Sequence, residues 1–377
     1  MNLDEVRKEI DCIDEQLLEL FLRRMELGKE ALKEKMYCGK PLVDKRRERE
    51  ILKNISEKSG DMSVYSHRLF NELMTLSRAY QGTVSAGKTQ LTKDIENAVL
   101  SDAVFPAKAS VACQGIEGAN SQQAADRLFP QGNIMFCKSF EGVLNAVKSG
   151  LCDYGVLPIE NSSNGSVHAV YDLLKDGGFN IVRSVKLCVH HELLAQKGTK
   201  LCDVKEIMSH EQALGQCGNF IKKLDGMVKI SSCANTALAA KIASESPGVA
   251  AISSPICAEL YDLSRVTDEN IQNSENNYTR FVCVSAKPAI YPGANRLSFV
   301  ASLKHEAGEL YKLVSVIDAL GVSISKLESK PIVGRDFEFM FLVDLEASVL
   351  EPNIIGMLEE IERICGSFVF LGNYQEI

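Results

Sequence analysis

The chain has 377 residues, and at about 150 residues per domain that makes two or three domains rather than one core. Hydrophobic residues make up 45% and charged residues 24%, which excludes wholesale disorder. Lysine and arginine total 42 against 50 aspartates and glutamates, a net charge of -8. No segment combines a basic excess with interleaved aromatics, so nucleic acid is excluded as the main partner.

Met1 to Glu9 carries charge where a signal peptide needs its apolar stretch, and no run of 18 apolar residues follows. The expectation is a cytoplasmic protein with no membrane partner. The twelve cysteines are scattered without a C-x-x-C pair and read as reduced thiols. Six histidines include the adjacent pair His190 and His191 but no zinc-type spacing, so neither a metal nor a cofactor is expected.

From residue 3 to 34 apolar residues recur in a 3-4 alternation: Leu3, Val6, Ile10, Ile13, Leu17, Leu20, Leu27 and Ala31. With no internal proline, this predicts one long helix whose seam packs on a partner helix. Arg24 interrupts the seam. A buried guanidinium without an anionic partner is costly, so a carboxylate or a ligand belongs there. Gly39-Lys40-Pro41 is expected to end the helix, with Val43 to Lys58 and Tyr65 to Gln81 forming two more. Residues 1–84 are thus read as an all-helical domain. Residues 85–108, Gly-, Ser-, Thr- and Lys-rich apart from an apolar stretch at Ala98 to Phe105, read as a linker.

The texture changes over residues 109–286. Strand-type runs at Ser110 to Cys113, Gly155 to Leu157, Val249 to Ile252 and Phe281 to Val284 alternate with helical stretches, which predicts an α/β domain. After a break at Pro288 to Gly293, residues 295–377 follow a strand-helix-strand-strand-helix-strand order. The segments are Leu297 to Leu303, Gly308 to Leu320, Ser323 to Glu328, Phe337 to Leu345, Asn353 to Ile364 and Phe368 to Leu371, the βαββαβ order of a ferredoxin-like module.

Several polar residues lie on or beside the apolar faces. Arg7 and Lys35 flank the first seam; Asp44, Arg47 and Glu48 share a face of the second helix, and Leu73, Ser77 and Gln81 a face of the third. Singly, each fits a solvated face of a dimerisation module. Together they suit a small dianion, the cations holding carboxylates while a Lys and a Gln bond a neutral oxygen. In the α/β part three polar loops adjoin strand-type runs, where such folds collect ligands. Gln114 to Ser121 lacks G-x-G-x-x-G and a P-loop lysine, which disfavours nucleotides, yet its helix start suits a carboxylate. Pro158 to Ser166 is a dense hydroxyl and amide cluster that also reads as an N-cap. Ser209 to Cys217 puts Ser, His and Glu together without the G-x-S-x-G elbow of a hydrolase.

The set Arg7, Arg24, Lys35, Asp44, Arg47, Glu48, Ser77 and Gln81 resembles the site of the all-helical chorismate mutase family. The resemblance implies a pericyclic rearrangement of chorismate to prephenate, which needs conformer selection and charge stabilisation rather than a nucleophile. It assigns Lys35 and Gln81 to the ether oxygen, Arg7, Arg24 and Arg47 with Ser77 to the carboxylates, and Asp44 and Glu48 to the hydroxyl and to orienting the cations. At ~1.5 Å per residue Arg7 lies ~25 Å from Arg24, and Lys35 ~16 Å beyond. One substrate cannot touch all three on one helix, so the site is expected to be shared across an antiparallel homodimer or higher homo-oligomer.

Residues 109–286, through Pro158-Ile159-Glu160-Asn161-Ser162 and Thr279-Arg280-Phe281, resemble prephenate dehydratase, a two-lobed α/β domain. This implies loss of the ring hydroxyl and carbon dioxide to give phenylpyruvate. Thr279 would sit at the leaving hydroxyl, with Glu160, Asn161, Ser162, Ser209, Gln216 and Arg280 around the substrate. A threonine hydroxyl is too weak an acid to act alone, which leaves a neutral Glu160 or a water relay as the proton source. Ile116 and Asn120 stand where the family usually has a proline and an aromatic.

Residues 295–377 resemble an ACT regulatory domain. Gly308-Glu309-Leu310 and Glu328-Ser329-Lys330-Pro331 parallel its Gly-Ala-Leu and Glu-Ser-Arg-Pro elements, implying phenylalanine as effector at Gly308, Leu310, Glu328 and Ser329. Glu309 and Lys330 alter the charge and the fork geometry there. The resemblances together imply a multidomain enzyme of phenylalanine biosynthesis. One rival is a monofunctional dehydratase with a helical dimerisation domain, against which the filled mutase set argues. The other is a non-catalytic amino-acid sensor, disfavoured by Thr279 with Glu160.

Overall fold

The structure, a computed structural model, describes residues 2–38, 44–84, 89–306, 308–332 and 339–377. The expected helix stop at Gly39-Lys40-Pro41 and the expected strand start at Phe337 lie outside the described residues.

The N-terminal part is helical: α1 (Leu3–Tyr37), α2 (Lys45–Lys58) and α3 (Ser63–Val84). Asp44 starts α2, its side chain accepting a hydrogen bond from the Arg47 backbone N–H, which satisfies one of the orphan donors of a helix start. Two faces of α1 behave differently. Its C-terminal half packs on α3 through Met25, Gly28 and Leu32. The seam does not: Leu3, Ile10, Ile13, Leu17, Leu20 and Leu27 are each 50–65% exposed.

The expected linker contains a fourth helix, α4 (Gln90–Ala98). Thr89 Oγ1 accepts from Thr92 N at 3.1 Å, as an N-cap does, and Ile95 and Ala98 are buried. Its single narrow apolar stripe is easily lost among polar neighbours.

The α/β part begins with β1 (Ser110–Gln114), α5 (Asn120–Leu128), β2 (Asn133–Cys137), α6 (Phe140–Lys148), β3 (Tyr154–Asn161), β4 (Gly165–Ser166), α7 (His168–Gly177) and β5 (Asn180–Cys188). A second lobe holds β6 (Glu192–Gln196), β7 (Glu206–Ser209), α8 (Glu211–Gln216), α9 (Gly218–Lys223), β8 (Lys229–Ser232), α10 (Thr236–Glu245), β9 (Val249–Ser253), α11 (Ile256–Leu260) and β10 (Leu263–Arg265), after which β11 (Tyr278–Ser285) returns to the first. The first lobe's strands run β5-β11-β3-β1-β2 and the second's β10-β6-β9-β7-β8. Both lobes mix parallel and antiparallel pairs. Val111, Ala112 and Cys113 on β1 are fully buried, as a parallel strand covered on both faces requires. Gly118, at φ +88°, follows β1; a Cβ there would lie 2.9 Å from Cys257 Sγ, so a bare backbone lets this loop meet the second lobe.

The C-terminal part is β12 (Arg296–Leu303), α12 (Glu309–Asp318), β13 (Ser323–Pro331), β14 (Phe339–Glu346), α13 (Ile354–Ile364) and β15 (Ser367–Glu376), with strand order β13-β14-β12-β15. That is the βαββαβ order expected from the sequence. β15 runs beyond the expected Leu371, and Gln375 and Glu376 pair with Arg183 and Ser184 on β5. Gly372 passes so close to β5 that a Cβ would sit 2.2 Å from the Ile181 carbonyl oxygen.

The chain divides into two compact units, residues 1–96 with 301–368 and residues 97–300 with 369–377. Within the first, α3 packs on α13 and Tyr311 Oη donates to Glu72 Oε2 at 3.0 Å. All twelve cysteines are unpaired. No described helix is long and apolar enough to cross a membrane.

Candidate active sites

In the second unit a chain of amides runs through the start of β11 and the end of β3. Asn161 Oδ1 accepts from the backbone N–H groups of Ser163 and Asn164 at 3.0 and 3.1 Å. Two donors on the oxygen fix the amide's orientation, so Nδ2 points the other way. It donates to Thr279 Oγ1 and to Asn277 Oδ1, both at 3.0 Å. Asn277 Nδ2 in turn donates to Gln216 Oε1 at 3.0 Å. His191 Nε2 lies 2.9 Å from that same oxygen, and since the oxygen only accepts, the imidazole carries its proton on Nε2. Its Nδ1 is buried and has no partner among the described residues. Burial lowers the His191 pKa below its ordinary 6.5, which keeps the ring neutral.

The consequence falls on Thr279. Its oxygen accepts from Asn161, so its own proton is available to a group outside this chain of amides. Ser162 braces the same corner, with Oγ donating to the Asn276 carbonyl at 3.0 Å and accepting from Tyr278 N at 2.9 Å. Ser209 is fully buried, and its Oγ donates to the Ile252 carbonyl at 2.6 Å, tying β7 to β9.

Glu160 and Arg280 are elsewhere. Thr279 pairs with Asn161, and Arg280 with Glu160, at successive positions of the β11–β3 ladder, and successive side chains of a strand point to opposite faces. Arg280 Nη2 meets Glu160 Oε2 at 3.0 Å and Nη1 lies 4.0 Å from Glu376, which also pairs with Arg296 at 3.0 Å. Sequence reasoning groups Glu160 and Arg280 with Thr279; on the ladder the pleat sets their side chains on the opposite face from Thr279, where they form an ion-pair cluster.

In the first unit, Gln81 Nε2 donates to the Gly28 carbonyl at 3.1 Å and to Ser77 Oγ at 3.3 Å, while Arg24 Nη1 donates to the Leu73 carbonyl at 3.1 Å. These bonds bring Arg24, Ser77 and Gln81 along the α1–α3 contact. Glu48 pairs with Arg78 at 2.7 Å, and Arg47 lies 3.8 Å from Glu50. Arg7 is not brought to this group; its side chain is 67% exposed and lies 3.8 Å from Asp4. Gly308, in the left-handed region at φ +90°, precedes α12. Leu310 is 41% exposed, Ser329 is exposed, and Glu328 pairs with Lys326 at 3.4 Å. Glu309 is buried and paired with Lys312 at 2.5 Å, so its charge is compensated.

Comparison with known proteins places these sites in context. Residues 6–82 match chorismate mutase type II and residues 111–289 match prephenate dehydratase. The bifunctional chorismate mutase/prephenate dehydratase of Enterobacter agglomerans is 30% identical over 381 residues, spanning 98% of this chain and 95% of its own. This chain belongs to the bifunctional chorismate mutase/prephenate dehydratase family. It is an isomerase and a lyase, making prephenate from chorismate and phenylpyruvate from prephenate. Arogenate dehydratase/prephenate dehydratase 2 of Arabidopsis thaliana is 36% identical over 298 residues, covering 76% of this chain and 75% of that one. Among solved structures, the prephenate dehydratase of Arthrobacter aurescens in complex with L-Phe matches with TM-score 0.63 and 25% identity, over 71% of this chain and 89% of that one.

Membership in the family sharpens what the residue-level reading passed over. The sequence marks His191 only as half of an adjacent histidine pair, and it gives no role to His191 or to Asn277, two residues before Thr279. The available signal was placement: His191 directly precedes β6, at a lobe crossing, and Asn277 directly precedes β11.

Proposed function

We propose that Thr279 relays a proton from water to the departing ring hydroxyl of prephenate and that Asn161 aims it. What supports this reading is the hydrogen bond from Asn161 Nδ2 to Thr279 Oγ1, which uses the oxygen as acceptor and leaves the O–H for the substrate. As hydroxide leaves with that proton, the ring carboxylate departs as carbon dioxide and its electron pair completes the aromatic ring. Threonine is restored through water, since Glu160 is paired with Arg280 on the other face of β11. Asn277, Gln216 and His191 hold Asn161 in place, while Ser162 and Ser209 shape the walls.

The mutase site joins Arg24, Lys35, Asp44, Arg47, Glu48, Ser77 and Gln81 of one chain to Arg7 of a second. Support comes from the exposed α1 seam, an apolar stripe that a second copy of α1 would cover. Residues 295–377 form an ACT regulatory domain that binds phenylalanine through Gly308, Leu310, Glu328 and Ser329, and by linkage the effector must favour one conformational state. The enzyme works in the cytoplasm as a homodimer or higher homo-oligomer.

One reaction with purified protein tests the reading: chorismate, prephenate and phenylpyruvate are followed together, with and without millimolar phenylalanine. Successive appearance of prephenate and phenylpyruvate, the latter suppressed by phenylalanine, is the expected course. An unsuppressed second step would remove the effector assignment.

A further inference from the structure

The segment after α4, which the sequence left as an apolar stretch in a linker, forms one wall of a cavity of about 320 Å³ in the second unit. That volume is at the lower end of the range for small-molecule sites. Arg183 on β5 is its cationic group. The guanidinium lies 4.5 Å over the Phe105 ring, and Phe105 packs against Phe129, Tyr154 and Tyr291 at centroid distances of 5.0 to 5.9 Å. Nη2 donates to Gln375 Oε1 at 2.5 Å. Nε is buried without a hydrogen-bond partner, and Nη1 has none either but is not sealed off.

No carboxylate among the described residues pairs with Arg183. Asp102 also lines the cavity but is exposed, where water screens it. A guanidinium stacked, oriented and partly desolvated, yet lacking an anion, is costly unless something supplies one. Its planar fork suits a carboxylate. A phosphate dianion would call for more cationic donors than this wall offers, since Arg183 is the one cation among the lining residues and the polar groups beside it are Ser101, Gln375 and the acidic Asp102.

We propose that this cavity binds a small organic monocarboxylate, with its charge on Arg183 and its apolar body against Phe105 and Tyr291. None of the residues lining the cavity belongs to the Thr279 cluster or to the α12 and β13 residues assigned to the effector.

The test titrates 4-fluorobenzoate into the full-length protein and follows the probe by fluorine NMR. Saturable broadening is expected. It should weaken about tenfold or more in Arg183→Met, which removes the charge-assisted bonds, and equally in Ala103→Phe, which fills the cavity and leaves Arg183 in place. Should Arg183→Met fail to fold, Ala103→Phe decides alone. Absence of saturable broadening in the unaltered chain, or broadening that survives the folded variants, would overturn the proposal.

Discussion

Thr279 and Arg280 are consecutive on β11, yet Thr279 Oγ1 bonds Asn161 on one face of the sheet while Arg280 bonds Glu160 on the other. The two positions should therefore fail in different ways. Thr279→Val should lower the kcat for phenylpyruvate about a hundredfold or more, with chorismate consumption unchanged. Parallel loss of both activities in a folded variant would contradict independent sites.

Arg280→Met should act on stability. It removes the ion pair to Glu160, while Glu376 keeps Arg296, and the expected cost is about 1–2 kcal/mol, below the figure for a fully buried pair because Glu160 is over a third exposed. Urea denaturation measures it. A variant of native stability but no dehydratase turnover would return Arg280 to the substrate.

Asn161→Asp tests the aim of the threonine. A carboxylate cannot donate to Thr279 Oγ1 and instead draws the threonine proton to itself. The expected outcome is a fall in kcat of about a hundredfold with KM little changed, read from steady-state phenylpyruvate formation.

His191 supplies a pH dependence. Its folded pKa is lowered by burial, so as pH falls below about 6.5 the unfolded chain takes up a proton that the folded chain refuses. Stability is complete above that value and is lost as pH falls towards the folded pKa. The urea midpoint should drop between about pH 7.5 and about pH 5, and less steeply in His191→Asn. Equal slopes for the two proteins would mean that His191 takes up its proton as readily in the folded chain as in the unfolded one.

The shared mutase site predicts complementation. Arg7→Ala and Lys35→Ala chains, each nearly inactive, should recover activity on mixing, because one site of a mixed dimer carries both lesions and the other neither. No recovery after confirmed subunit exchange would leave the site within one chain.

The outline of the fold was legible because its signals are periodic. The α1 seam at residues 3 to 31 and the continuous apolar runs of β1 and β11 announce themselves. Strand parity also carried the separation of Glu160 from Asn161 and of Arg280 from Thr279, but a dense polar run reads as a loop, where parity has no meaning, until β3 is known to extend to Asn161. The second face of α1 was masked because Met25, Gly28 and Leu32 lie beside a stronger stripe. The His191 connection depends on β6 and β11 lying near one another in space, which spacing along the chain does not encode.

Gly372 sets a different kind of limit. The clash that any Cβ would make there is with the carbonyl of Ile181, a backbone atom with no rotamer to yield. Intolerance at this position is therefore independent of side-chain size: alanine is refused as firmly as tryptophan. In a saturation mutagenesis library selected for phenylalanine prototrophy, position 372 should return glycine alone, and recombination points that separate the last six residues from β5 should yield no survivors.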